Sequence, residues 1–163
     1  MAFAQAPQPV VASAVPDAKL SGEKLFRYWG FSVYTARLWV PPGFKPNDFA
    51  NQPFALELAY LRDFAGADIA DRSLAEMKRV GGFSDAQGAQ WLARMKEVFP
   101  NIKNGETLTG VHQPGVGARF FHNGKPLAEV RDAEFSRRFF GIWLATSTSE
   151  PELRSALLAG AAQ

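Results

Sequence analysis

The order of elements readable in the chain is strands, two helices, strands, two helices. That order predicts an α+β domain, a largely antiparallel sheet with helices packed on it. Three observations carry the prediction. Gly30 to Val40 is dense in β-branched and aromatic residues and stops at Pro41-Pro42, which cannot continue a ladder. Phe54 to Phe64 alternates as a strand, with Phe54, Leu56, Leu58, Tyr60, Arg62 and Phe64 on one face. Asn123-Gly124 between two strand-like runs is a tight hairpin signal, because both residues accept the positive φ such turns need.

The chain has 163 residues and a net charge of +2, enough length for one domain with a real core. The charge is too small, and too scattered, to argue for nucleic acid. No apolar run is long enough to span a membrane. There is no cysteine, which excludes disulfides, thiolate metal sites and a cysteine nucleophile. Fourteen Phe and four Trp supply more large apolar surface than a minimal core requires, which permits an apolar cavity.

Ala4-Gln5-Ala6 is an A-x-A pattern followed by a Pro- and Ala-rich stretch through Pro16. It has the form of a secretory signal-peptide remnant. Residues 1–18 are therefore expected to be a disordered leader, residues 19–160 a single domain, and the protein periplasmic, with its mature start near Pro7.

Within the domain, Ser21-Gly22-Glu23 reads as a turn and Lys24 to Trp29 as a short strand, with Gly30 at a bulge or bend. In the next strand, Phe31, Val33, Thr35, Arg37 and Trp39 fall on one face and Ser32, Tyr34, Ala36, Leu38 and Val40 on the other. Both faces are mostly apolar, so the strand should be covered on both sides. A helix follows Asp68, with Ile69, Ser73, Met77 and Val80 on one side, ended by Gly81-Gly82. A second is capped by Ser84 and carries Trp91, Leu92, Met95, Val98 and Phe99 before Pro100. Glu106 to Val111, Ala118 to Phe121 and Pro126 to Val130 read as strands. Asp132 caps a helix bearing Phe135, Phe139, Phe140, Ile142 and Trp143, and Ser149-Glu150-Pro151-Glu152 opens a last one as a capping box.

The chain contains no G-x-S-x-G elbow, HExxH or P-loop. His112 and His122 lie in or beside turns, and Asp63, Asp68 and Asp71 are explained by capping and solvation, so no metal site is expected. What stands out is a set of cationic and phenolic groups beside apolar stretches: Arg27, Tyr34, Arg37, Tyr60 and Arg62. An arginine beside aromatic walls suits a ligand with an apolar body and a carboxylate or phenolate head.

The strings Gly30–Val40, Phe54–Leu58 with Tyr60–Phe64, Leu108–His112, Phe120–Leu127 and Phe139–Leu144 together resemble bacterial chalcone isomerase-like proteins. The resemblance runs from about Leu20 to Leu158. It implies an open-faced β-sandwich, in which a large antiparallel sheet carries helices on one face and the ligand cleft lies between the two layers. It carries the isomerase activity less well. Plant enzymes of the family use an arginine near the first strand, and a threonine and a tyrosine acting through an ordered water on the enone oxygen. Tyr34 stands where the threonine would be, with Thr35 on the opposite face. The segment Ile69–Met77 has neither the tyrosine nor the asparagine expected there. The fold's other use, fatty-acid binding through an arginine and a tyrosine, is compatible with Arg27, Tyr34, Tyr60 and Arg62. The expected function is therefore non-catalytic binding of a small lipophilic anion such as a fatty acid, in a cleft near Trp91 and Phe139. No cofactor, nucleic acid or stable membrane insertion is expected. An isomerase of the chalcone type, or a protein-interaction module without a ligand, remain the alternatives.

Overall fold

The computed structural model describes residues 6–161. Six strands form one antiparallel sheet in chain order: β1 (Lys19–Tyr28), β2 (Phe31–Val40), β3 (Phe54–Tyr60), β4 (Thr107–Gln113), β5 (Gly117–His122) and β6 (Lys125–Val130). Helices α2 (Gly66–Val80), α3 (Asp85–Val98), α4 (Ala133–Leu144) and α5 (Pro151–Leu157) are layered on one face. A short helix, α1 (Pro9–Ala14), sits on the other. This is the expected α+β architecture, an open sheet with a helical layer.

The local signals act as their chemistry requires. Ser84 Oγ accepts from Gln87 N at 3.1 Å at the start of α3, and Asp132 Oδ1 accepts from Phe135 N at 3.0 Å at the start of α4. The Asn123-Gly124 turn takes φ of 51° and 81° and joins β5 to β6. Alternation sorts most of β2 as read: Tyr34, Ala36, Leu38 and Val40 enter the core under the helices, and Trp39 enters a smaller cluster on the far face. Val33, expected on the face of Trp39, instead borders the helix-side core because the register against β1 shifts there.

Several boundaries differ from the sequence reading. Ser21 and Gly22 are not a turn but lie inside a β1 that begins at Lys19, at a register shift against β2. Gly22 is there because α5 lies against the strand: a Cβ would fall 1.9 Å from the carbonyl oxygen of Ala156. Trp29 and Gly30, with φ of 53° and 78°, form a two-residue hairpin turn between paired Tyr28 and Phe31, so of the expected bulge or bend it is the bend that forms, and β1 ends at Tyr28. Strand β3 stops at Tyr60, so the alternation that carried Arg62 onto the face of Tyr60 no longer applies. Ser149 does not cap α5; Glu150 holds the N-cap position without a side-chain bond, and Ser149 Oγ donates to Glu76 Oε2 at 2.6 Å.

The leader expectation needs correction over part of its length. Ala4 and Gln5 of the A-x-A pattern lie outside the described residues. Pro9–Ala14, however, is an ordered helix rather than a mobile tail, with Pro9 in its first turn. Its Val11, with Val15 one turn later, is fully buried against Trp39, Ala55, Val111 and Phe121. The apolar outer face of the sheet needs a cover, and this segment provides it.

Candidate functional site

Helix α2 packs mainly on α3 and α4 rather than on the sheet. Beneath it, between the helices and the ends of β1, β2 and β3, lies a cavity of about 400 Å³. That is within the size range of small-molecule sites. Its walls are mostly apolar: Phe26 and Val33 from the hairpin, Leu58 and Leu108 from the sheet floor, and Phe139 and Ile142 from α4. Polar groups come from α2, where Asp68, Arg72, Ser73 and Glu76 recur at helical spacing beside Ile69, and from Glu150 at the start of α5.

Tyr34 and Tyr60 are directly paired across β2 and β3, with ring centroids 5.5 Å apart at 68°. Both line the cavity. Their hydroxyls are held differently. Tyr34 Oη accepts a 2.9 Å bond from the indole N–H of Trp143 on α4. Tyr60 Oη has no hydrogen-bond partner among the described residues, although only 5% of the residue is exposed. It is not a sealed orphan, since the one fully enclosed, unpartnered side-chain oxygen among the described residues is Ser21 Oγ. It opens onto the cavity. Burial pushes both phenols well above their usual range, in Tyr60 reinforced by the neighbouring Tyr34. Both are neutral donors and acceptors at any ordinary pH.

The structure brings two of the five nominated residues, Tyr34 and Tyr60, to the cavity and leaves the three arginines outside it. Arg37 lies on the opposite face of the sheet. It bonds Glu23 through Nε and Glu57 through Nη1 at 3.1 Å, while Trp39 Nε1 donates to Glu57 Oε1 at 3.3 Å. Burial opposes the Arg37 charge, but the bonds to Glu23 and Glu57 outweigh it and raise its pKa. It neutralises a buried glutamate and does not line the cavity. Arg27 is exposed on β1. Arg62 is also exposed, its guanidinium 4.5 Å above the ring of Phe31, because β3 has ended two residues earlier.

The cation at the cavity is Arg72. Its Nε lies 3.2 Å from Glu76 Oε1, and its guanidinium stacks 4.2 Å from the ring centre of Tyr28 at the mouth. Glu76 is further held by Arg79 at 3.7 Å and by the Ser149 hydroxyl. The salt bridge engages one edge of the Arg72 fork. The sequence carried a signal for this set: Asp68, Arg72 and Glu76 stand at i, i+4 and i+8, flanking the stripe that begins Ile69, Ser73.

Of the two aromatic landmarks expected at the cleft, Phe139 lines it and Trp91 does not. Trp91 packs on Phe83 and Phe135, and its indole donates to Asp132 Oδ2 at 3.0 Å. His112 is buried away from the cavity. Its Nε2 meets the Ala50 carbonyl at 2.7 Å and its Nδ1 the Ser136 hydroxyl at 2.6 Å. The carbonyl can only accept, which assigns the proton to Nε2. His122 pairs with Glu106 at 3.1 Å, Asp71 with Lys96 at 3.5 Å, and Asp63 accepts from Asn104 N at 2.8 Å.

Comparison with known proteins agrees with this architecture. A fatty-acid binding protein of Arabidopsis thaliana superposes with a TM-score of 0.68 over 96% of each chain, at 12% sequence identity, a likeness of fold. A Haemophilus influenzae protein described as uncharacterized is 30% identical over 132 residues, which is 80% of this chain and 63% of that one. The present chain thus spans under two thirds of that relative's length. Residues 14–159, from the end of α1 to just past α5, match the chalcone isomerase-like family, and with nearly all of the fold inside that match the chain belongs to it.

Proposed function

We propose that this protein binds a small lipophilic molecule of the fatty-acid type in the cavity under α2, without transforming it. The observation that carries the reading is the mostly apolar 400 Å³ cavity lined by Tyr60, whose hydroxyl has no partner among the described residues and is not sealed off. An unpartnered polar group in an apolar wall is costly unless something meets it. A ligand head group at the α2 side would meet Tyr60 Oη and the open edge of Arg72, with the tail against Phe26, Val33, Leu58 and Ile142. The fold shared with a fatty-acid binding protein supports the ligand class. Asp68 and Glu150 on the same lining oppose a second negative charge, so Arg72 is what makes a carboxylate head acceptable.

The non-catalytic part rests on the hydroxyls. Tyr34 is tied to Trp143, and α2 offers Ile69, Arg72, Ser73 and Glu76 to the cavity where the plant isomerases carry a tyrosine and an asparagine. Ser73 Oγ is turned back onto the Ile69 carbonyl at 2.7 Å. Among the described residues, no tyrosine or asparagine of α2 joins Tyr34 at the cavity to act with it on an enone oxygen. We further propose export to the periplasm, with processing after Ala6. Helix α1 begins at Pro9, so such a cut leaves the sheet cover intact.

Displacement of a fluorescent fatty acid tests the binding. Arg72→Ala should weaken a carboxylate ligand by roughly ten- to a hundredfold, the worth of one charge-assisted contact, and Tyr60→Phe by less. A matched alcohol should bind more weakly than the acid to the wild type. Equal affinity of acid and alcohol would sink the anionic head, and no binding of either would sink the cavity as a ligand site. N-terminal sequencing of the protein from its host checks the export, and an uncut product refutes it.

A further inference from the structure

Apart from Val116, the large apolar side chains that stand exposed among the described residues gather at one end of the sheet. Tyr28, Trp29 and Phe31 make the β1–β2 hairpin tip, Leu25 precedes it on β1, and Leu61 lies beside it just past β3. Val116 sits in the turn between β4 and β5 at the opposite end. Trp29 is 83% exposed and Phe31 58%, so neither contributes to the core. Trp29 also occupies the first turn position with φ of 53°, where asparagine or glycine is the unstrained choice and a bulky residue is an outlier. A strained tryptophan that stays 83% exposed and meets only the edge of the neighbouring Tyr28 ring is a feature of contact with something else.

The charges at the tip say what. Arg27 is exposed on the same hairpin, and Arg62 stacks over Phe31. Among the described residues neither is within salt-bridge distance of a carboxylate. Asp63, next to Arg62, is turned to the backbone of Asn104. A narrow projecting tip of Trp, Tyr and Phe with unpaired arginines fits the interfacial layer of a bilayer, where amphipathic rings sit at head-group level and arginines meet lipid phosphates. The tip is also continuous with the cavity. Tyr28 lines its mouth, and Phe26 and Val33 on the same hairpin line its wall.

We propose that the β1–β2 hairpin docks the protein onto an anionic bilayer surface through Trp29 and Phe31, with Arg27 and Arg62 on the phosphates. Docking brings the cavity mouth to the membrane, so that a lipophilic molecule passes between bilayer and cavity without crossing bulk water. No spanning segment is involved, and no helix of the described residues is long and apolar enough to cross a membrane. The docking residues Trp29, Phe31, Arg27 and Arg62 lie outside the cavity lining, so the docking stands whatever fills the cavity.

The four tryptophans make the test direct. Trp39, Trp91 and Trp143 are buried, so red-shifted emission reports Trp29. Vesicles containing phosphatidylglycerol should shift that emission to the blue and bring it within reach of brominated acyl chains. Trp29→Asn, which suits the turn, should abolish both the shift and co-sedimentation while circular dichroism stays unchanged. Arg27→Gln and Arg62→Gln should each lower partitioning about fivefold at low salt. Pure phosphatidylcholine should bind far less. The proposal is overturned if phosphatidylglycerol vesicles leave the emission unmoved, or if the Trp29→Asn variant co-sediments like the wild type. It is equally overturned if the blue shift grows with protein concentration in the absence of vesicles, which would make the tip a self-association surface. A protein that docks on vesicles yet displaces no fluorescent fatty acid would keep this inference and sink the ligand reading.

Discussion

Leu58, Leu108, Phe139 and Trp143 divide the space between sheet and helices into two ends. On one side, Phe54 is stacked on His112 at 5.0 Å and meets Phe140 edge-on at 5.0 Å, while Phe120 meets Phe99 and Phe139 at 5.1 and 5.3 Å. The void left near Gly110 is about 10 Å³, hardly one water. A Cβ on Gly110 would lie 3.0 Å from the Phe140 ring. On the other side the cavity is about 400 Å³, although the wall residues are just as aromatic. The difference is where the helices rest. Helix α4 lies against β5 and β4, whereas α2 leans on α3 and α4 and leaves the sheet below it uncovered. Walls of similar aromatic content thus give a solid core where α4 meets the strands and a hollow, with the charged groups of α2 on its wall, where α2 meets only helices.

The largest test of that contrast is a pair of truncations. Phe140→Ala at the solid end should cost about 3–5 kcal/mol in urea unfolding, because its fully buried ring leaves a cavity that rigid neighbours cannot close. Ile69→Ala on the cavity lining should cost under about 1.5 kcal/mol, since the side chain is only partly buried and already borders empty space. Comparable losses at both sites would mean that the hollow end is packed in solution.

How much of this contrast could be read from the chain depends on what each element's pattern reports. The strands, the two side-chain caps at Ser84 and Asp132, and the apolar stripe of α4 were legible because burial and capping leave local marks. So was the place of Tyr60 on the apolar face of β3, though not its pairing with Tyr34 across β2 and β3. The arginines were not. Alternation already put Arg37 on the face opposite Tyr34, but nothing local disclosed Glu57 as its partner, a contact made across β2 and β3. Arg62 was misplaced because apolar alternation runs on to Phe64 with no proline or glycine to mark the end of β3 at Tyr60. Arg72 was overlooked because an i, i+4 pair with Glu76 is what a solvated helix face also shows. Helix α1 was hidden by its alanine- and proline-rich setting, although Val11 and Val15 stand one turn apart.

The solid end also contains a titratable group that the hollow end lacks in kind. Burial pushes the His112 imidazole below its ordinary value of 6.5, only partly countered by its bond to the Ala50 carbonyl. The fold therefore favours the neutral ring, and the unfolded chain takes up the proton first as pH falls. This contribution to stability is fully present above pH 6.5 and is lost as pH drops below it. The slope is bounded by one proton, about 1.4 kcal/mol per pH unit. Urea unfolding of the wild type and of His112→Gln between neutral and mildly acidic pH should show a steeper loss in the wild type. Identical slopes would mean that His112 titrates normally and that the solid end admits water.

The smallest effect separates the two tyrosines, which share a face, a wall and a burial class but not a partner. Tyr34→Phe removes the acceptor of the Trp143 indole and leaves a buried N–H with no bond, a loss of about 1–2 kcal/mol. Tyr60→Phe removes a hydroxyl that bonds nothing among the described residues, so the ligand-free protein should lose nothing measurable and gain if the hydroxyl was unsatisfied. With a fatty acid present the order changes. The thermal shift produced by the ligand should shrink in Tyr60→Phe, because the head group loses a donor, and shrink less in Tyr34→Phe, whose hydroxyl is held by the Trp143 indole although its own O–H can still donate. If Tyr60→Phe instead destabilises the ligand-free protein as much as Tyr34→Phe does, its hydroxyl already has a partner, and the cavity has no polar group waiting for a ligand.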